Sequence, residues 1–219
     1  MVYISPVIFF QHKILYKKRQ PPFHFHYYAE ALLSENYLHH ILIMNFLTIK
    51  NSTHPSLKEI QTLYEDAFPQ RERRDFPALI DLLAMENMEL IAITDFSLII
   101  GFLIQWEFKA FNYIEHLAID PSQRGKNYGT KVMKKIIGNS DKILLLEVEP
   151  PHDDISNKRI LFYEKLGMKV CPFTYEQPPY REDEKSFPML IMSFPIELKN
   201  SAFDEFTSII TTEVYDRWR

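Results

Sequence analysis

The stretch Asp120-Pro121-Ser122-Gln123-Arg124-Gly125-Lys126-Asn127-Tyr128-Gly129-Thr130 constrains this chain more than any other part of it. An apolar, strand-like run precedes it: Tyr113-Ile114-Glu115-His116-Leu117-Ala118-Ile119. A helix-like run follows it: Thr130-Lys131-Val132-Met133-Lys134-Lys135-Ile136-Ile137. A strand, a glycine-containing turn and a helix start form a natural seat for phosphate. The first amides of a helix have no partner inside it, and the helix dipole puts partial positive charge there. Gly125 and Gly129 let backbone approach a ligand closely, and Arg124 and Lys126 add charge suited to a pyrophosphate. Spacing alone is equally consistent with an ordinary strand-to-helix connection carrying a solvated basic turn.

The order of the remaining elements is mixed α/β. Residues 44–50 read as an edge strand. Ser56 and Glu59 suit a capping box for a helix with apolar residues at Leu57, Ile60, Leu63, Tyr64 and Ala67. A second short helix is expected over 76–85, then a hairpin of 89–94 and 97–107 around Asp95-Phe96. A strand over 112–119, a helix over 127–138 and a nearly all-apolar strand over 143–149 come next. A helix over 156–166 stops at Gly167. Closing strands over 168–173 and 187–194 flank a loop, 175–185, rich in proline and charge. Residues 201–218 carry Phe203, Phe206, Ile209, Ile210 and Val214 on one side and read as an amphipathic helix.

With 219 residues, the chain is one domain with appendages. A net charge of −4 gives no global reason to expect nucleic acid or an anionic membrane as partner. A single cysteine, Cys171, excludes an intramolecular disulfide and fits a reducing compartment. No apolar run is long enough to span a bilayer, and the first ten residues do not form a secretory signal, so the expected location is cytoplasmic. Residues 1–43 differ from the rest, crowding histidine with Phe and Tyr. They read as a poorly ordered extension or a mis-called start, with Met44 as the true one. His24 and His26 could share a strand face as metal ligands would, but no further ligand set accompanies them, and no metal is expected.

Arg124-Gly125-Lys126-Asn127-Tyr128-Gly129 resembles the acyl-CoA pyrophosphate loop of the GNAT superfamily of N-acetyltransferases, with the pattern Arg/Gln-x-x-Gly-x-Gly/Ala. Asn127 replaces its first glycine, and Asn is the side chain that best tolerates left-handed backbone. Leu146-Glu147-Val148, followed by Tyr163-Glu164-Lys165-Leu166-Gly167-Met168, resembles the family's later strand and its Tyr-Glu-Lys-x-Gly-Phe signature. The resemblance covers residues 44–196, leaving 197–219 as a C-terminal amphipathic helix. It implies the GNAT fold: a mixed central sheet of about six to seven strands flanked by helices and splayed between the fourth and fifth strands.

The same resemblance implies a function, N-acetyl transfer from acetyl-CoA to a primary amine by direct attack in a ternary complex. A non-catalytic acyl-CoA-binding relative is the alternative. Pyrophosphate would sit on Arg124, Gly125, Lys126, Asn127, Tyr128, Gly129 and Thr130. Main-chain groups of Leu117 and Ile119 would hold pantetheine, with Ser156 and Asn157 as weaker cofactor contacts where the family usually has one Asn. Tyr163 falls on the family's helix tyrosine, which faces the CoA sulfur. The base is open among Glu147, where ribosomal-protein acetylases carry theirs, Glu115, on the strand used by histone acetylases, and Glu149. His116 is expected on the sheet face opposite Glu115. The acceptor is a small-molecule or peptide amine, and the chain a monomer or homodimer. The acids Glu182, Asp183 and Glu184 could attract a cationic amine or simply be solvated.

Overall fold

Residues 88–119 are dense in β-branched and aromatic side chains, and they form three successive antiparallel strands at the centre of the sheet. The computed structural model describes residues 2–3 and 44–218. The metal and disorder expectations placed on residues 4–43 lie outside the described residues. The strands are β1 (Val2–Tyr3), β2 (Met44–Ile49), β3 (Met88–Asp95), β4 (Leu98–Glu107), β5 (Phe111–Ile119), β6 (Ile143–Val148), β7 (Lys169–Val170), β8 (Tyr175–Gln177) and β9 (Phe187–Phe194). The α-helices are α1 (Leu57–Ala67), α2 (Phe76–Asp81), α3 (Tyr128–Asn139), α4 (Asp154–Glu164) and α5 (Asn200–Ile210).

The strand order is β2-β3-β4-β5-β6-β9-β7, with β1 beside β5 and β8 beside β9. All neighbours are antiparallel except β5 with β6 and β1 with β5. The fold is therefore the mixed α/β arrangement expected. One sheet face buries Ile60, Tyr64, Phe102, Trp106, Tyr113 and Leu145 under α1, α2 and α5. The other buries Leu117, Val132, Met133, Leu144, Leu146 and Tyr163 under α3 and α4. Strand alternation sends successive residues of β6 to opposite cores.

Local differences from the sequence reading have physical causes. Ser56 has helical backbone (φ −65°, ψ −18°) and makes no side-chain cap bond. Its amide instead donates to the His54 ring nitrogen Nδ1, 3.2 Å away. The capping box forms at α4, where extended Asp153 and Ser156 bond each other reciprocally. The second helix ends at Asp81 and tightens into a 3-10 turn, Leu82–Ala84. The strand expected over 168–173 shrinks to β7, and the loop expected over 175–185 contains β8. The C-terminal helix does not run unbroken: α5 gives way to a wide π-helical turn, Thr211–Tyr215, and a short 3-10 turn, Asp216–Trp218. The wide turn carries both Val214 and Tyr215 into the core. Phe203, Phe206 and Ile210 are buried as the stripe suggested, with Phe206 stacked on Phe111 at 4.5 Å.

Candidate active site

The parallel strands β5 and β6 pair only over Phe111↔Ile143 to Ile114↔Leu146, then part. The next residue on each strand is a glutamate: Glu115 on β5 and Glu147 on β6. Both stand at the fork. β5 also bulges there: Gln105 pairs with Ile114 and Ile104 with His116, so Glu115 is the extra residue. A bulge bends its strand and re-aims side chains. Here it puts Glu115 and His116 on the same face, His116 Nδ1 lying 3.9 Å from Glu115 Oε1. The expectation that His116 faces away from Glu115 is thereby corrected, because strict alternation fails at a bulge.

The two glutamates are buried to similar depth, Glu115 at 1% and Glu147 at 2% exposure, but in different company. Glu115 Oε1 accepts from Arg74 Nε at 3.1 Å and from Tyr180 Oη at 3.1 Å, and Oε2 accepts from Trp106 Nε1 at 2.6 Å. Its charge is matched by a guanidinium. Among the described residues Glu147 accepts from phenols alone: Tyr175 Oη at 2.6 Å and Tyr215 Oη at 3.0 Å. Burial raises the Glu147 pKa, and the hydroxyls of Tyr175, Tyr113 and Tyr215 pull part of the way back. Glu149 lies past the end of β6 and pairs with Arg159 at 2.7 Å, so the alternation that would seat it beside Glu147 does not extend to it.

His116 is a neutral core imidazole. Burial holds its pKa well below the usual value, so its proximity to Glu115 is not an ion pair. Its Nε2 donates to Glu72 O at 3.0 Å, which leaves Nδ1 as a bare lone pair.

On the opposite face, α4 brings Tyr163 into the core with Leu146 and Val148 of β6. Its hydroxyl is buried and makes no hydrogen bond among the described residues. Burial pushes its pKa well above that of an ordinary phenol. A buried hydroxyl without a partner costs about 1–3 kcal/mol, so a group that supplies one would bind with that gain. Ser156 and Asn157, by contrast, are occupied at the start of α4. Ser156 Oγ bonds Asp153 Oδ1 at 2.8 Å, and Asn157 Nδ2 donates to Asp153 O at 2.7 Å.

The turn ahead of α3 has the geometry an anion needs. Gly125 (φ 80°) and Asn127 (φ 62°) are both left-handed. The first backbone bond closing α3 runs from Lys131 N to Asn127 O, so the amides of Tyr128, Gly129 and Thr130 precede the ladder. Arg124, Gly125, Lys126 and Asn127 are exposed. Tyr128 is instead turned inward, its hydroxyl donating to Asp95. Past the fork, the β5 edge at Leu117 and Ala118 pairs with Val2 and Tyr3 of β1.

Sequence reasoning did not find Arg74, Trp106, Tyr113, Tyr175, Tyr180 or Tyr215. Tyr113 alone carried a local signal, lying two residues before Glu115 on a strand. The others reach the fork from 9 to 68 residues away in sequence. Nor did the sequence show the cleft of about 300 Å³ between Arg71 and Glu184, Lys185, Ser186 and Phe187. Of the three acids in that loop, Glu184 lies 3.5 Å from Arg181.

A parallel pair that forks beside a left-handed turn at a helix start is the splayed arrangement that the sequence resemblance implied. Residues 87–170 match the family model described as an acetyltransferase (GNAT) domain. The chain thus carries a segment similar to a GNAT acetyltransferase domain, and its fold is similar to that of solved GNAT N-acetyltransferases. It is 29% identical to a Bacteroides thetaiotaomicron protein assigned to the GNAT family, with a TM-score of 0.75 over 78% of this chain and 98% of that one. It shares its fold with the ribosomal-protein-S18-alanine N-acetyltransferase of Escherichia coli (17% identity, TM-score 0.52, 72% and 97% covered). It also shares it with NAA60 of Arabidopsis thaliana, solved with acetyl-CoA (14% identity, TM-score 0.52, 69% and 97% covered). No curated protein sequence matches the chain. Among the described residues no helix is long and apolar enough to cross a membrane, and no group of three or more His, Cys, Asp or Glu is arranged to hold a metal.

Proposed function

We propose that the protein is an N-acetyltransferase that uses acetyl-CoA to acylate a primary amine by direct attack. One observation carries the reading: at a single fork, among the described residues, a buried carboxylate held by phenols alone faces one side of the sheet and a buried phenol without a hydrogen-bond partner lies on the other. The residues fit acetyl-CoA. The amides at the start of α3, with Arg124 and Lys126, suit a pyrophosphate. The β5 main chain at Leu117 and Ile119 offers pantetheine an edge once β1 yields it. Bound acetyl-CoA supplies the thioester carbonyl as electrophile.

Glu147 is the better base of the two glutamates at the fork. Glu115 is tied to Arg74, whereas Glu147 has a raised pKa that brings it closer to the amine it must deprotonate. It takes one proton from the ammonium, directly or through water, freeing the nitrogen lone pair. The N–C bond forms, the C–S bond breaks, and the nitrogen loses its second proton to water. Tyr163 stays a phenol at all working pH, and full proton transfer to a thiolate of ordinary pKa, about 8.5, would run uphill. It therefore acts as a hydrogen-bond donor to the departing sulfur, and the thiol takes its proton from the water that exchanges with the site. The net products are amide, CoA thiol and one proton.

The test is turnover of acetyl-CoA against polyamines, aminoglycosides, amino acids and peptide N-termini, reading both thiol release and acetylated product. Tyr163→Phe should lower kcat about tenfold to a hundredfold with little change in acetyl-CoA affinity, the small end of the range for such assistance. Turnover like the parent's would remove Tyr163 from the mechanism. Tight CoA binding with no acceptor acetylated would leave the chain a CoA-binding relative.

A further inference from the structure

The C-terminal turn reaches both carboxylates at the fork. Val214 O accepts from Arg74 Nη2, and the same guanidinium donates through Nε to Glu115 Oε1. The next residue, Tyr215, donates its hydroxyl to Glu147 Oε2 at 3.0 Å. This turn lies 41 residues or more beyond the end of the matched domain at residue 170. It is also the one place where α5 opens into π-helix, and such turns recur where a side chain must be aimed at a site. In this turn Val214 presents its main-chain carbonyl and Tyr215 its hydroxyl to the fork, and both residues are buried.

Tyr215 donates its one proton to Glu147 Oε2, and its Oη lies 3.0 Å from Tyr113 Oη, whose hydroxyl also lowers the Glu147 pKa. Tyr175 holds the other carboxylate oxygen at 2.6 Å. With both oxygens engaged from opposite elements, the carboxylate plane cannot rotate freely. Among the described residues, the groups facing Glu147 are Tyr113 of β5, Tyr175 of β8, Tyr215 of the C-terminal turn and, behind them, Tyr180 with its ring 5.1 Å from that of Tyr215. The Glu115–Arg74 pair completes the surroundings.

We propose that Tyr215 is a positioning residue for Glu147, and that the C-terminal turn is thereby part of the acetyl-transfer site rather than a prop for the domain. The proposal rests on Glu147 being the base. A donor to a carboxylate favours its charged form. Losing one leaves Glu147 easier to protonate, so its titration moves to higher pH and the acid limb of the rate profile moves with it.

The experiment is a pH titration of the Glu147 side-chain carboxyl by carbon-13 NMR in the full chain, with Glu147→Gln identifying the signal. Tyr215→Phe keeps the ring packing and removes the hydroxyl. It should move the Glu147 midpoint upward by about half a pH unit to one unit, equivalent to a threefold to tenfold change in proton affinity. Tyr113→Phe, which removes a second hydroxyl that favours the Glu147 carboxylate, should also shift the midpoint upward. This variant keeps the test open if Tyr215→Phe folds poorly. In turnover, Tyr215→Phe should lose rate on the acid side and recover it above the shifted limb, while KM for acetyl-CoA stays unchanged. An unmoved Glu147 midpoint in both variants overturns the proposal. A moved midpoint in a chain that acetylates no amine sinks the catalytic reading but leaves the coupling of Tyr215 to Glu147 intact.

Discussion

Glu115 and Glu147 show how environment separates two chemically identical side chains. Each is the first residue beyond the last β5–β6 pair. The guanidinium of Arg74 makes Glu115 a strut: burial works against the Arg74 charge, but Glu115 and the surrounding tyrosine oxygens outweigh it and hold its pKa above the usual value. Glu147 makes no ion pair among the described residues, and its folded pKa is raised, chiefly by burial. A raised folded pKa gives a stability contribution that is complete below the unfolded value of 4.5 and is lost as pH rises through the folded one. Gln at this position cannot ionise. Glu147→Gln should therefore melt above the parent near pH 7, the difference closing as pH falls below the unfolded value, while its turnover drops by about a hundredfold to ten-thousandfold. A melting difference that ignores pH would show that Glu147 is not destabilised as a carboxylate. A turnover equal to the parent's would give the role of base to another group.

Elements meet most tightly where β4 crosses the open part of β5. A Cβ added at Gly101 would lie 2.4 Å from Ala118 O and 2.9 Å from Ile119 Cδ1. The first of these is backbone, so β5 itself must shift. Gly101→Ala should cost about 1–3 kcal/mol in denaturant unfolding and weaken CoA binding, since the displaced stretch, Leu117 to Ile119, is the edge offered to pantetheine. Gly138, inside α3, has nothing within 4 Å of such a Cβ. Gly138→Ala should stabilise by about 0.5–1 kcal/mol and leave CoA binding alone. Equal effects at the two sites would mean that β4 and β5 have slack at Gly101. The contrast also marks what a linear sequence can convey. The turn before α3 was readable because its left-handed residues, Gly125 and Asn127, are separated by one residue and chemically distinctive. The burial of Phe203, Phe206 and Ile210 was readable from helical spacing. The Glu115 bulge was not, because it arises from register against β4 rather than from the residues that form it. The phenols around Glu147 were hidden for the same reason: Tyr175 and Tyr215 are 28 and 68 residues away, and only the tertiary fold brings them to one carboxylate.

On the scale of the whole molecule, the first strand sits where the cofactor is expected. The fork leaves the β5 edge beyond Ile114 without β6, and Val2 and Tyr3 pair in parallel with Leu117 and Ala118 along it. An exposed strand edge is a template for any extended group with donors and acceptors, whether peptide or pantetheine. The two cannot use the same main-chain groups together. Composition alone predicts residues 1–43 to be dispensable, with CoA affinity unchanged when they are removed. The pairing predicts something different. A chain beginning at Met44 should keep the circular dichroism of the parent and bind CoA more tightly. A hydrogen bond in such an exchange is worth about 1 kcal/mol net, so the loss of one or two competing bonds should tighten Kd by roughly fivefold to thirtyfold. Tyr3→Pro in the full chain, which removes an amide from the strand, should move affinity in the same direction by less. Calorimetry with CoA on the three proteins decides the matter. Equal affinities would show that β1 leaves the edge at no cost and that the composition-based expectation holds. Weaker binding by the shortened chain would show that the N-terminal strand helps to build the slot.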